Sequence, residues 1–229
     1  MRLSIIIPVL NEAETIAARL AALQALRERG VEVIVVDGGS ADDSAGRAAP
    51  LADRVITAPR GRGRQMNAGA ERATGEVLLF LHADTVLPDL AIERIEAALT
   101  GGALWGRFDV RIDGASVMLP IVAALMNGRS RLTGIATGDQ AIFATREAFA
   151  RVGGFPDIPL MEDIAFSSTM RRIARPACLT EKVTTSGRRW EKHGVWRTIL
   201  TMWWLRLRFW LGASPQTLAR EYGYVPRHD

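Results

Sequence analysis

The segment Glu76-Val77-Leu78-Leu79-Phe80-Leu81-His82-Ala83-Asp84-Thr85 limits what this chain can fold into more than any other, because a strand apolar on both faces runs straight into a carboxylate. Such a strand needs cover on both sides and belongs in the middle of a sheet flanked by helices. In that setting the carboxyl ends of the strands open into the crevice where ligands bind. Asp84 is therefore placed either to hold a divalent cation against a diphosphate or, more plainly, to end a strand ahead of a helix starting near Pro88.

The rest of the chain fits that setting. Strand-like runs at Leu3–Val9, Val31–Asp37, Arg54–Thr57 and Val77–His82 alternate with helix-like segments at Glu12–Arg29, Ala41–Ala49, Arg64–Ala73 and Asp89–Leu99. This alternation predicts an α/β fold, a Rossmann-like and mostly parallel central sheet with helices on both faces. From Trp105 to Asp113 apolar and polar residues alternate, as in a half-exposed strand, which we expect to join the sheet antiparallel. A helix over Ser116–Arg131, a strand over Gln140–Thr145 and a helix over about Ile164–Ile173 follow.

A chain of 229 residues suits one such domain with elaborations. We expect residues 1–185 to form the ligand-binding domain and residues 186–229 a helical extension, packed on it or at a membrane or subunit interface. The net charge of +4 comes almost wholly from Arg, whose planar fork suits phosphate and carboxylate. The single Cys178 excludes an internal disulfide and a Cys-based zinc site, and fits a reducing compartment. The apolar N-terminal run is too short for a secretion signal, and no run of about 20 apolar residues offers a spanning helix. A cytoplasmic location is expected, with contact at the inner membrane face left open.

Three acidic positions fall at ends of expected elements: Asp37, Asp84 and the pair Glu162-Asp163. Asp37 precedes Gly38-Gly39-Ser40, where a tight turn leads to a helix that Ser40 can cap. Between Asp37 and Asp84 lies Arg60-Gly61-Arg62-Gly63-Arg64-Gln65-Met66-Asn67, a loop that offers guanidinium forks and helix N-terminal amides to an anion. A solvated basic loop or a nucleic-acid patch is the alternative, but no aromatic side chains interleave there and nucleic acid is not expected as a partner.

Taken in order, Ser4–Glu12, Val35–Asp42, Gly61–Gly69, Leu81-His82-Ala83-Asp84, Gly153-Gly154-Phe155 and Glu162-Asp163 make the chain resemble a family 2 glycosyltransferase with the GT-A fold. The resemblance spans roughly Met1–Arg175. Within that family the chain is similar to the short stand-alone members associated with arsenosugar biosynthesis.

The resemblance implies that Pro8, Glu12 and Asp37 line a nucleotide pocket, that Arg62 and Arg64 meet the diphosphate, and that Asp84 holds Mg²⁺ or Mn²⁺. His82-Ala83-Asp84 stands where the family usually has Asp-x-Asp, so one carboxylate would serve with phosphates and waters completing an octahedron. His82 is read either as a donor contact or as a satisfied interior histidine. Gly38 stands where a second Asp is common. Asp163, beside Glu162, would be the general base of an inverting transfer, and Asp139 and Gln140 would meet the acceptor or the donor sugar. Ser186-Gly187-Arg188-Arg189-Trp190 resembles the Gln-x-x-Arg-Trp motif of processive synthases with Ser in place of Gln, which favours a single transfer, with Arg189 and Trp190 on the acceptor side. His193 is either a further metal ligand or a surface histidine.

Expected partners are a nucleotide-diphosphate sugar donor and a small-molecule or lipid-linked acceptor. Over Val195–Leu211 a helical projection puts Trp196, Ile199, Leu200, Trp203, Trp204, Leu207 and Trp210 on one arc, which suits a membrane interface, a second subunit or the chain's own core. Two other readings stay open: a catalytically silent nucleotide-sugar sensor or membrane adaptor, and a nucleotidyltransferase. The latter wants a Gly-rich phosphate loop after the first strand, where this chain has Pro8-Val9-Leu10-Asn11-Glu12.

Overall fold

A computed structural model describes residues 1–224 of the chain, excepting the side chains of Arg189 and His193. The first half alternates strand and helix: β1 Leu3–Val9, α1 Ile16–Ala21, α2 Gln24–Glu28, β2 Glu32–Asp37, α3 Ser44–Ala48, β3 Arg54–Thr57, α4 Arg62–Arg72 and β4 Val77–Phe80. It continues through β5 Thr85–Val86, α5 Ala91–Thr100, β6 Trp105–Asp113, α6 Leu119–Thr133, β7 Ile142–Thr145, α7 Arg146–Arg151, α8 Glu162–Ile173 and β8 Ala177–Ser186. Three helices close it: α9 Arg188–His193, α10 Val195–Trp210 and α11 Pro215–Glu221.

The described strands form one sheet in the order β3-β2-β1-β4-β7-β6-β8-β5. β1 to β4 run parallel, as the βα alternation requires, and β1 is buried along its whole length. Successive side chains of β1 feed opposite cores: Leu3, Ile5, Ile7 and Val9 pack with Ile16 and Leu20. Ile6 packs with Met66 and Ala70 of α4 on the other face. α4 lies so close to the sheet that a β-carbon on Gly69 would come 2.4 Å from the Ile6 Cγ2, so only glycine fits there.

β6 is antiparallel to β7, but β7 is itself antiparallel to β4, so β6 runs in the same sense as β4 and β7 is the reversed strand. The helix expected over Glu12–Arg29 is broken at Ala22-Leu23, where the amides of Leu23 and Leu26 bond three residues back and turn Leu23 into the core. β8 pairs parallel with β6, with a slip between Phe108 and Asp109 that leaves Thr180 and Glu181 outside the ladder. That slip breaks the period of two and hides the strand from pattern reading.

A third cluster, Leu160, Met161, Leu205, Leu218 and Ala219, fastens α10 and α11 to the segment that starts α8. The face of α10 presented inward is the narrow one bearing Thr198 and Leu205. Most of the apolar arc points outward, with Trp196 67%, Trp203 63% and Trp210 81% exposed, and only Ile199 packs against the core. No helix among the described residues is long and apolar enough to cross a membrane.

Candidate functional site

A cleft of two chambers lies at the carboxyl ends of β1 and β4. The smaller, about 320 Å³, is bounded by Pro8, Glu12, Arg60, Arg62, Gln65 and Tyr224. The larger, about 490 Å³, is bounded by Thr137, Asp139, Asp163, Trp190, Met202 and Arg206. Arg62, His82, Asp84, Leu160 and Tyr222 line both, so these side chains mark the junction.

Asp84 reaches the junction because the Thr85 amide donates to the His82 carbonyl at 3.0 Å, closing a turn directly beyond β4. The carboxylate accepts a long bond, 3.3 Å, from the Thr85 hydroxyl. His82 Nδ1 lies 3.3 Å from Asp139, and the imidazole is 12% exposed. Burial works against its charge, but Asp139 wins and holds the imidazole above its usual range. Its Nε2 is buried against Gly138 with no hydrogen-bond partner.

Asp163 stands at the start of α8. Met161, the residue before the helix, has φ +70°, a left-handed conformation that is strained for a side chain of that size. As consecutive residues of α8, Glu162 and Asp163 leave about 100° apart around the helix axis. Asp163 lines the larger chamber, where one carboxylate oxygen accepts from the Gly138 amide at 2.8 Å and the other from its own helix at Ile164, 2.7 Å. Glu162 is buried and faces away, bonding the Arg62 Nε at 2.8 Å. Burial pushes the Glu162 carboxyl up despite Arg62. Arg62 is held above its usual range by Glu162, Asp163 and Asp139 against the cost of desolvation, so this cation stays charged at the junction.

On the smaller side, Glu12 accepts from the Thr15 hydroxyl and lies 3.7 Å from Arg188. Gln65, buried, donates to the carbonyls of Val9 and Val36 and so pins the ends of β1 and β2. Asp37 sits at the neighbouring strand end, with its carboxylate accepting from the amides of Gly39 and Ser40 at 3.0 Å and from the Ser40 hydroxyl. It shapes the turn beside the chamber without lining it. Arg64 turns to Asp157 at 2.6 Å, whereas Arg60 and Arg62 face the chamber.

On the larger side Asp139 and Trp190 line the wall, whereas Gln140 is fully buried and bonded to the Thr137 amide and to Asn127. The backbone of Arg189 and His193 falls in α9, but their side chains lie outside the described residues. Pattern reading missed Tyr222 and Tyr224, the chain's two tyrosines, which return from beyond α11 to the smaller chamber. The Arg60 guanidinium lies over the Tyr224 ring at 5.1 Å. Their rarity and shared place near the end were the available signal.

No cluster of three His, Cys, Asp or Glu side chains suited to a metal occurs among the described residues. Asp84 alone, a hard oxygen ligand with one weak contact, fits a Mg²⁺ or Mn²⁺ that takes most of its ligands from phosphates and water.

The profile described as Glycosyl transferase family 2 matches residues 4–144. An uncharacterized glycosyltransferase of Mycobacterium tuberculosis (strain ATCC 25618 / H37Rv) is 32% identical over 193 residues, covering 79% of this chain and 71% of that protein. One from Nostoc sp. is 32% identical over 102 residues, 42% of this chain and 32% of that relative, so the match spans only about a third of its length. Among solved structures, residues 1–349 of S. aureus TarS with UDP-GlcNAc align with TM-score 0.66 and 19% identity over 81% of this chain and 58% of that one. The mannosyltransferase PcManGT of Pyrobaculum calidifontis with GDP-Man and Mn²⁺ gives 0.61 and 24% over 80% and 56%. At these identities the likeness establishes the fold, which is GT-A. By the matched profile and the extended Mycobacterium relative, this chain belongs to glycosyl transferase family 2.

Proposed function

We propose that this protein transfers one sugar, with inversion, from a nucleotide-diphosphate sugar to a hydroxyl of an acceptor. The observation that carries this reading is the shared junction: Asp84 and Arg62 border both chambers, whereas Asp163 borders only the larger. The donor occupies the smaller chamber, with its diphosphate at Arg60 and Arg62. The acceptor enters the larger.

Asp163 accepts the proton of the acceptor hydroxyl as that oxygen's electron pair forms the new bond to the anomeric carbon. The bond from that carbon to the diphosphate oxygen breaks on the opposite face, and Arg62 meets the charge that develops there. The Gly138 amide holds Asp163 in place, and Glu162, behind the wall, orients Arg62. A divalent cation held by Asp84, when bound, supplies Lewis-acid neutralisation of the diphosphate. Asp37 supports the donor pocket by fixing its turn.

The solvent-facing Trp and Leu side chains of α10 support a lipid-linked acceptor at a membrane surface, since Thr198, Met202 and Arg206 of the same helix line the acceptor chamber.

The test is nucleotide release from UDP- and GDP-sugars with Mn²⁺. Wild type releases nucleotide, Asp163→Asn loses at least about a hundredfold in turnover, and Asp84→Ala loses the metal response. Donor binding with no turnover, or turnover unchanged by both substitutions, would overturn the reading in favour of a nucleotide-sugar sensor.

A further inference from the structure

The larger chamber is divided in charge. Its carboxylates, Asp84, Asp139 and Asp163, come from beyond β4, from the turn before β7 and from the start of α8, with Arg62 among them at the junction, whereas Arg188, Lys192 and Arg206 come from α9 and α10. Asp139 and Asp163 already face His82 and the Gly138 amide. Arg188 lies 3.7 Å from Glu12. Lys192 and Arg206 have no ion pair among the described residues, and the Arg206 Nε is cut off from water without a hydrogen-bond partner.

A buried guanidinium donor left unmet inside a cavity is completed by an acceptor atom from a ligand. A carbonyl would satisfy one N–H, but a second cation, the solvent-exposed Lys192, lines the same chamber and favours a full negative charge, and Arg presents a fork matched to phosphate or carboxylate. The donor's diphosphate does not fill this role. Arg206 and Lys192 line only the larger chamber, and the smaller has its own cations in Arg60 and Arg62.

We infer that the acceptor carries an anionic group, a phosphate or carboxylate, bound by Arg206 and Lys192 while its hydroxyl faces Asp163. This deepens the proposed transfer and rests on it for the hydroxyl, though the anion subsite can be measured by binding alone. The anion can belong to a soluble molecule or to a lipid headgroup, since the chemistry is shared.

The experiment titrates glycerol 3-phosphate and glycerol into the full chain by calorimetry, and in parallel measures binding to vesicles of phosphatidylglycerol and of phosphatidylcholine. Wild type should bind the phosphate-bearing probe at least ten times more tightly than its neutral counterpart. Lys192→Gln with Arg206→Gln should reduce that preference at least tenfold, and Arg206→Lys should keep most of it, which separates lost charge from lost folding. A preference seen only with vesicles assigns the anion to a lipid. Equal binding of charged and neutral probes in both arms would overturn the inference, as would a preference that survives the double substitution or disappears only with Arg60→Gln. If the preference holds but no sugar nucleotide is ever turned over, the transferase reading fails and the anion subsite stands.

Discussion

Gly138 and His82 pack so closely that a β-carbon on the glycine would come 2.2 Å from the imidazole Nε2. The same glycine gives its amide to Asp163 at 2.8 Å. One residue therefore sets both the histidine at the junction and the carboxylate read as the base.

Gly138→Ala should cut turnover at least tenfold, by pushing the imidazole aside and drawing the amide away from Asp163. Steady-state nucleotide release measures it. Adding His82→Ala makes room for the methyl and should restore part of the loss; a double variant no better than the single would show that the contact is not the cause.

Glu162 and Asp163 are neighbours with opposite surroundings, and their substitutions should separate. Glu162→Gln frees Arg62 and should raise the donor KM about tenfold, roughly 1.4 kcal/mol, with a smaller change in kcat. Asp163→Asn should lower kcat with little change in donor KM. The same pattern from both would erase the distinction between orienting and proton-accepting roles.

Phe155, in the Gly-Gly-Phe segment, stacks on Phe166 of α8 at 4.2 Å and meets Phe80 of β4 edge-on at 4.8 Å. It ties the helix that begins beside Asp163 to the strand that leads to Asp84. Phe155→Ala should cost about 3–5 kcal/mol of stability, read from denaturant unfolding, and folded protein should also lose turnover.

The parallel half of the fold was legible because β1, β2 and β4 are continuous apolar runs and their connections carry helix periodicity. β8 was not, because its two-residue slip against β6 and its Glu181-Lys182 pair break the alternation. The strand end pointed to Asp84 in the crevice, whereas Asp163 was expected there only from the family resemblance; both line the larger chamber. What escaped was side-chain direction: Arg64 and Arg62 are two residues apart on one helix, yet one turns to Asp157 and the other to the junction. Tyr222 and Tyr224 return by packing against the cluster that includes Leu205 and Leu218, a tertiary event with no local signal.

Asp53 bonds Arg27 and the Val33 amide, and Arg27 foremost holds its carboxyl below the usual range. A depressed folded-state pKa means stability that is present above the ordinary carboxylate value and lost as pH falls through the folded one. Asp53→Asn should therefore lower stability near neutral pH by about 1 kcal/mol, discounted for exposure. Melting curves of the two proteins should converge in acid. A constant gap at all pH values would rule out the ion pair as its source.

Trp203 and Trp204 of α10 are 63% and 57% exposed. Replacing both with Ser should reduce co-flotation with anionic vesicles several-fold while leaving the melting temperature nearly unchanged. Unchanged flotation would remove the membrane contact.

Thr85, the residue after Asp84, is paired across the sheet with Thr185, and their hydroxyls meet at 3.3 Å. The backbone next to Asp84 is therefore completed only by a strand 100 residues further along the chain. A polypeptide that stopped short of β8 would have no strand to pair with Thr85, so the turn that carries Asp84 would be held from one side alone.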